Sequence, residues 1–129
     1  MSEPEKPRIL VVEDERHIAR FLQYVLEKAG FQVQIALDGK TAMDRIETFR
    51  PEGVVLDLVL PDIPGTEVLQ AIRRSAACGN AAVVVLSAHT FEHGADGLDA
   101  GGRTVQCPKP IAPSRLLEKL RDFGLYART

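Results

Sequence analysis

Segments typical of strands and of helices alternate along the whole chain, and this alternation restricts the possible folds more than any other feature. Five short apolar segments have the length and the branched side chains of strands, at 8–12, 31–36, 53–57, 81–86 and 104–107. Between and after them, apolar residues recur every three or four positions, as on one face of a helix. Repeated strand–helix units form a parallel sheet with helices on both faces. We therefore expect an α/β domain with a doubly wound, five-stranded parallel sheet and five helices.

Apolar residues at helical spacing define the faces by which the predicted helices pack on the sheet. The first such face is expected to contact the core and consists of Ile18, Phe21, Leu22, Val25, Leu26 and Ala29. The fourth helix, predicted for 89–100, is the weakest because it contains Gly94 and Gly97. Each glycine costs a helix about 1 kcal/mol relative to alanine.

Polar residues follow the most apolar strands at the point where each strand ends. Glu13 and Asp14 follow the first strand, and Asp57 ends the third. Ser87 follows the fourth strand and Lys109 the fifth. The carboxyl ends of parallel strands meet at one edge of the sheet, where open α/β sheets bind their ligands. We therefore expect three carboxylates, a hydroxyl and an amine to converge there.

Three carboxylates in close proximity repel one another, so the predicted cluster needs a proton or a cation. Magnesium suits such a site, because it binds one or two carboxylates together with waters and phosphoryl oxygens. Asp57 would then stay ionised and could act as a nucleophile that forms an acyl phosphate. Lys109 would add positive charge near the phosphoryl oxygens, and Ser87 a hydroxyl hydrogen bond. The cluster thus predicts a site that captures and holds a phosphoryl group.

Four short motifs in this order resemble those of one protein family. They are VVEDE, VVLDLVLPDIPG, VVVLSAH and the pair Lys109-Pro110. Together they resemble the receiver domain of bacterial two-component response regulators, from about residue 8 to residue 123. The resemblance implies the flavodoxin-like strand order 2-1-3-4-5. It also implies a receiver domain at 8–129. Residues 1–7 are charged, carry two prolines and have no apolar core, so we expect a flexible tail there.

The resemblance implies a role for each residue of the acidic cluster. Asp57 corresponds to the phosphoacceptor of the family. Asp14 and Asp57 correspond to direct ligands of Mg²⁺, whereas Glu13 is expected to act through a water molecule. The backbone carbonyl of Val59 corresponds to a third protein ligand.

The resemblance also implies how the phosphoryl group is held and delivered. Ser87 corresponds to the hydroxyl residue that follows the phosphate and Lys109 to the lysine beside it, with a cis bond to Pro110, which an X–Pro bond permits. The donor would be a histidine kinase or a histidine phosphotransfer protein, and the output a contact with a downstream effector protein. Such a domain is no enzyme, although it takes part in its own phosphoryl transfer and slow self-dephosphorylation. We expect a monomer or a phosphorylation-dependent dimer.

The chain departs from the family pattern in the segment that usually transmits phosphorylation. Gln106 stands three residues before Lys109, where the family usually carries Tyr or Phe. Pro108 cannot donate a backbone hydrogen bond to a neighbouring strand. The alternative function is therefore a degenerate receiver that docks to proteins without being phosphorylated.

Two enzyme classes compete with this interpretation. The stretch 89–93 has the sequence HTFEH, which matches the H-x-x-E-H motif of inverted zinc proteases. Its two histidines would share one helix face and could bind zinc, but Gly94 follows at once. A magnesium-dependent phosphatase of another α/β family would need a second aspartate two residues after Asp57, where Val59 stands.

Composition limits the domain size, the class of partner and the role of the cysteines. The chain has 129 residues, of which 45% are hydrophobic and 26% charged, as in one soluble globular domain. Its formal net charge of -2 provides no general attraction to nucleic acid or to a membrane surface, so we expect neither partner. Cys78 and Cys107 have no metal or redox spacing and are expected to be reduced and apolar. We expect a cytoplasmic, stand-alone receiver.

Overall fold

The computed structural model describes residues 6–88 and 103–126 of the chain. Strands and helices alternate as expected from the sequence, and their bounds are β1 (Arg8–Val12), α1 (Arg16–Lys28), β2 (Gln32–Ala36), α2 (Gly39–Phe49), β3 (Gly53–Asp57), α3 (Gly65–Arg74), β4 (Ala82–Ser87), β5 (Thr104–Pro108) and α4 (Pro113–Asp122). The helix predicted for 89–100, and the histidine motif at 89–93 with it, lies outside the described residues. No helix within the described ranges is long and apolar enough to cross a membrane.

The five strands form one parallel sheet in the order β2-β1-β3-β4-β5, which confirms the predicted doubly wound topology. Val12 of β1 pairs with Leu56 of β3. Ser87 of β4 pairs with Pro108 of β5. Residues that follow these paired positions therefore meet at one edge of the sheet, here called the carboxyl edge.

Apolar side chains cover both faces of the central strands, so β3 and β4 are buried along their whole length. Side chains alternate between the two faces of a strand. Val11 and Val55 pack on the side of α1 and α4, whereas Leu56 packs on the side of α2 and α3. Cys107 lies in the first of these clusters and Cys78 in the second, both as buried free thiols, as predicted.

Side-chain caps fix where α1 and α2 begin. Glu15 accepts a 3.1 Å hydrogen bond from the backbone N–H of His17. Asp38 accepts one of 2.7 Å from the backbone N–H of Thr41. Each cap satisfies a first-turn amide that has no partner inside its helix. Both helices therefore start at a defined point beside the carboxyl edge.

The predicted inner face of α1 is wrong at two residues. Ile18 and Phe21 are 39% and 50% exposed, whereas the buried residues of this helix are Ala19, Leu22 and Leu26. The helix is turned so that Ala19, with its small side chain, faces the sheet, which leaves Ile18 and Phe21 at the side. The apolar spacing identified the helix correctly, but the apolar stripe is wider than the arc that contacts the sheet.

Candidate functional site

Three carboxylates meet at the carboxyl edge of the sheet. Glu13 and Asp14 come directly after β1, and Asp57 is the last residue of β3. One ligand oxygen from each of the three lies within 4.8 Å of the others. Glu13 and Asp57 are only 2% and 5% exposed, whereas Asp14 is exposed to solvent. The structure thus brings together the three acids that the sequence indicated.

Lys109 lies between two of these acids. Its ammonium nitrogen is 2.8 Å from Oε1 of Glu13 and 2.8 Å from Oδ2 of Asp57. Its backbone N–H donates a 2.9 Å hydrogen bond to the carbonyl of Ser87, which continues the pairing of β4 with β5. The peptide bond from Lys109 to Pro110 is cis, as predicted. One cation therefore balances much of the charge of two buried carboxylates.

The loop after β3 supplies a backbone contact to Asp57. The N–H of Val59 donates a 3.0 Å hydrogen bond to Oδ1 of Asp57, while Lys109 binds Oδ2. The chain then turns back at Gly65, whose N–H donates to the carbonyl of Leu58 at 2.9 Å. A Cβ at Gly65 would lie 2.5 Å from Cα of Leu58, so this close approach requires glycine. Both carboxylate oxygens of Asp57 are thus held in defined directions.

Ser87 ends β4 beside the acidic cluster. It is 7% exposed, and the residue before it, Leu86, pairs with Asp57 across the β3–β4 ladder. Its carbonyl is the acceptor that fixes the backbone of Lys109. The hydroxyl residue predicted for the site therefore lies at the same edge as the acids and the lysine.

Burial and mutual contact separate the pKa values of the two buried acids. The pKa of Glu13 is raised from 4.5 to about 7, mainly by burial and then by its hydrogen bond with Asp57, although Lys109 opposes the rise. Burial alone would also raise the pKa of Asp57, but hydrogen bonds with Glu13, Lys109 and the N–H of Val59 outweigh it and lower this pKa below its usual value. Below about pH 7 Glu13 therefore carries a proton, whereas Asp57 is ionised.

The donor set of this cluster fits a hard divalent cation. Oε2 of Glu13 is buried and accepts no hydrogen bond from an N–H or O–H group of the described residues. Asp14 adds an exposed carboxylate at the same place. Carboxylate oxygens beside solvent are ligands that Mg²⁺ prefers. Within 6–88 and 103–126, these three acids are the one group with metal-binding geometry.

Comparison with known proteins identifies the family. The model of the response regulator receiver domain matches residues 9–121. The chain belongs to the receiver family of response regulators. This confirms the resemblance carried by the motifs, and it links the receiver to two-component signal transduction.

Relatives of this receiver among curated proteins carry the name response regulator MprA. The MprA of Mycolicibacterium vanbaalenii is 37% identical over 123 residues, which cover 95% of this chain and 51% of that protein. The MprA of Mycobacterium avium is also 37% identical, with 52% of its length covered. The receiver therefore spans about half the length of these relatives.

Solved structures share the fold of this receiver. A CheY-like receiver domain protein from Methanospirillum hungatei JF-1 aligns with a TM-score of 0.81 at 27% identity, covering 92% of this chain and 94% of that one. The receiver domain of the Francisella response regulator 1452 aligns with a TM-score of 0.78 at 29% identity, covering 91% and 95%.

Gln106 occupies a half-buried position of β5 in this receiver, beside Val85 of β4. Its Nε2 is buried and forms no hydrogen bond with the described part of the chain. A buried amide without a partner costs free energy. Within the described residues, Gln106 therefore places a buried amide nitrogen without an acceptor in the strand that precedes Lys109.

Asp62 is a contact residue that the sequence did not reveal. Its carboxylate accepts hydrogen bonds from the backbone N–H groups of Gly39 at 2.8 Å and Lys40 at 2.9 Å. It thereby joins the loop after β3 to the start of α2. The pair Asp38-Gly39 is typical of a turn and indicates no partner elsewhere in the chain. A contact between residues 22 or 23 positions apart leaves no local spacing pattern by which it could be found.

Proposed function

We propose that this receiver accepts a phosphoryl group on Asp57 from a phosphohistidine donor, with Mg²⁺, and that the phosphorylated form signals through protein contacts. The supporting observation is the state of Asp57, a buried carboxylate that is ionised at neutral pH and hydrogen bonded at both oxygens. Burying an ionised carboxylate beside two other acids is costly for stability alone. A carboxylate that must react as a nucleophile has a reason to be kept ionised at this cost in stability.

Asp57 would act as the nucleophile. One of its oxygens forms the new O–P bond while the N–P bond of the phosphohistidine breaks. The bonding electrons remain on the imidazole nitrogen, which then takes up a proton. Asp57 needs no base to remove a proton from it, because the hydrogen bonds from Lys109 and Val59 already favour its ionised form. Catalysis then consists mainly of positioning and charge stabilisation.

Charge on the transferring oxygens is balanced from two sides in this proposal. Asp14, Asp57 and the carbonyl of Val59 would hold Mg²⁺, with Glu13 acting through water, and the cation would supply positive charge to the phosphoryl oxygens. Lys109 loses an anionic partner when the Asp57 carboxylate becomes an acyl phosphate, so its ammonium group becomes available to those oxygens. Ser87 would donate its hydroxyl to the same group. Each of these roles matches one expected from the family motifs.

An apolar depression beside Lys109 supports a protein as the phosphoryl donor. It has a volume of about 410 Å³ and is lined by His17, Ile18, Phe21, Leu22, Leu86, Lys109, Pro110 and Ile111. Ile18 and Phe21 thus lie in the same depression as Lys109, whose ammonium group contacts the proposed acceptor. Exposed apolar patches of this kind commonly mark protein interaction sites. A histidine kinase or a phosphotransfer protein that covers the depression would bring its phosphohistidine close to Asp57.

Incubation with acetyl phosphate and Mg²⁺, followed by intact mass spectrometry, tests the proposal. The wild-type protein should gain the mass of one phosphoryl group, and Asp57→Asn should not. Asp122→Asn, which changes an exposed aspartate of α4, serves as the control and should be phosphorylated like the wild type. Phosphorylation that persists in Asp57→Asn would locate the acceptor elsewhere.

A receiver that docks without phosphorylation remains the second candidate, because Gln106 departs from the family at the switch position. The observation that favours this function is the buried Nε2 of Gln106, which has no acceptor among the described residues. A wild-type protein that binds Mg²⁺ but gains no phosphoryl group from acetyl phosphate would support docking alone. Phosphorylation of Asp57 that changes partner affinity would exclude it.

A further inference from the structure

Asp62 connects the loop that follows Asp57 to a helix on another part of the chain. This loop, residues 58–64, is called the β3–α3 loop below. The Asp62 carboxylate accepts a 2.8 Å hydrogen bond at Oδ1 from the N–H of Gly39 and a 2.9 Å hydrogen bond at Oδ2 from the N–H of Lys40. These are the first two residues of α2. One carboxylate thus bridges two separate elements at the carboxyl edge.

The two amides that Asp62 binds would otherwise lack an acceptor among the described residues. The first four N–H groups of a helix have no acceptor within it, and the N-cap residue Asp38 satisfies only that of Thr41. The positive end of the helix dipole also favours a carboxylate at this place. These backbone hydrogen bonds, led by that of Gly39, lower the pKa of Asp62 below its usual range. Asp62 is therefore an ionised second cap of α2, supplied by the loop.

The close approach of the loop to α2 depends on Gly39 as well. A Cβ at Gly39 would overlap Cγ1 of Ile63 and would lie 3.2 Å from Oδ1 of Asp62. Ile63 in turn packs against the apolar cluster on the α2 side of the sheet. The contact combines a polar bridge with apolar packing, so the middle of the β3–α3 loop is fixed by α2.

The β3–α3 loop also carries the backbone that serves the acceptor. Val59, three residues before Asp62, binds Oδ1 of Asp57 through its N–H, and its carbonyl is the proposed metal ligand. Strand pairing holds this end of the loop weakly, because the N–H of Leu58 is 3.4 Å from the carbonyl of Leu86. The Leu58–Val59 peptide is held by Asp57 and by Gly65, whose N–H binds the Leu58 carbonyl. The Val59 carbonyl belongs to the next peptide, so its direction depends on anchors further along the loop, of which Asp62 is one.

We infer that Asp62 is a positioning residue for the metal site, because its bridge to α2 sets the orientation of the Val59 backbone. The inference rests on the proposed function, since it assumes that Mg²⁺ binds beside Asp57. It adds a residue that touches neither the metal nor the phosphoryl group. The first residues of α2, which bind Asp62 through their N–H groups, would then also help to hold the metal site in place.

A matched pair of variants tests this inference. Asp62→Ala and Asp38→Ala each remove one carboxylate from the start of α2, but only Asp62→Ala frees the β3–α3 loop. In calorimetric titrations of metal-free protein with MgCl₂, Asp62→Ala should bind about tenfold more weakly than the wild type, as is typical when a ligand-orienting contact is lost. Asp38→Ala should differ by less than about twofold. Wild-type affinity in Asp62→Ala would overturn the inference, and so would equal weakening in both variants, because that result would trace the effect to helix fraying or net charge.

The conservative variant Asp62→Asn refines this test. Its amide oxygen can still accept the hydrogen bond from Gly39, but its NH₂ group cannot accept the one from Lys40. Its Mg²⁺ affinity should therefore lie between those of the wild type and Asp62→Ala. An affinity below that of Asp62→Ala would contradict a role in positioning.

Gly39→Ala tests the same contact without changing any charge. The added methyl group should push Ile63 and the loop away from α2 and weaken Mg²⁺ binding. Adding Ile63→Ala to this variant removes the overlap and should restore part of the affinity. Wild-type affinity in Gly39→Ala would show that the approach of the loop to α2 has no bearing on the metal site.

Amide hydrogen exchange of the metal-free proteins separates failure of this inference from failure of the proposed function. Asp62→Ala should speed exchange at Val59 and its loop neighbours, whereas Asp38→Ala should not. A wild-type protein that binds no Mg²⁺ would refute the proposed metal site and the role of Asp62 in it together. A wild-type protein that binds Mg²⁺, combined with unchanged loop exchange in Asp62→Ala, would refute the inference alone.

Discussion

The ammonium nitrogen of Lys109 lies 2.8 Å from Oδ2 of Asp57 at the carboxyl edge of the sheet. The same nitrogen is 2.8 Å from Oε1 of Glu13. Both acids are almost completely buried, and this lysine is a cation in contact with each of them. Lys109 therefore stabilises the folded protein while it keeps Asp57 ionised.

Lys109→Ala is expected to lower the free energy of unfolding of the metal-free protein by about 1–3 kcal/mol, the cost of leaving a buried acceptor unsatisfied. Mg²⁺ should restore part of this loss, because a ligand that binds only the folded state stabilises it. Urea unfolding followed by circular dichroism, with and without Mg²⁺, measures both effects. The control Lys119→Ala on α4 should change stability by less than about 0.5 kcal/mol. Equal stability of the two variants would show that the lysine does not balance the buried acids.

The raised pKa of Glu13, about 7, predicts a pH dependence of Mg²⁺ affinity. Below that pH Glu13 is protonated, and the proton must leave before its carboxylate can help to balance the cation. Affinity should therefore fall by up to about tenfold for each pH unit below 7 and level off above about pH 8. Glu13→Gln removes this titration and should flatten the profile. Titration calorimetry between about pH 6 and 8 measures both profiles, and a flat wild-type profile would contradict the prediction.

Gln106→Leu is expected to raise the free energy of unfolding by about 1 kcal/mol, because it removes a buried amide donor that has no partner among the described residues. Gln32→Leu provides a matched control, since Gln32 lies on the edge strand β2 and is exposed. That change should alter stability by less than about 0.5 kcal/mol. Chemical unfolding of both variants checks the prediction, and a destabilised Gln106→Leu protein would mean that the amide has a favourable contact.

The carboxyl edge could be predicted because its signals are local. Val11 and Val55 belong to continuous apolar segments, and such segments indicate central strands of a parallel sheet. Asp57 and Lys109 follow those strands directly, so topology alone brings them together. The cis bond after Lys109 came from the family resemblance and not from the residues themselves.

Features that depend on packing across the fold could not be predicted in the same way. Spacing identified α1, but the rotation of the helix that exposes Phe21 depends on how closely Ala19 approaches the sheet. The bridge from Asp62 to Gly39 joins positions 23 residues apart and has no sequence period. The raised pKa of Glu13 arises mainly from burial, which a strand-end acid does not reveal in the sequence.

Chemical mapping of the phosphoryl group tests the central proposal most directly. After incubation with acetyl phosphate and Mg²⁺, borohydride reduces an aspartyl phosphate to homoserine, and peptide mass spectrometry locates that residue. We predict homoserine at position 57 and at no other position. Homoserine at position 14, or a borohydride-resistant phosphate on Ser87, would contradict the assignment of Asp57 as the acceptor.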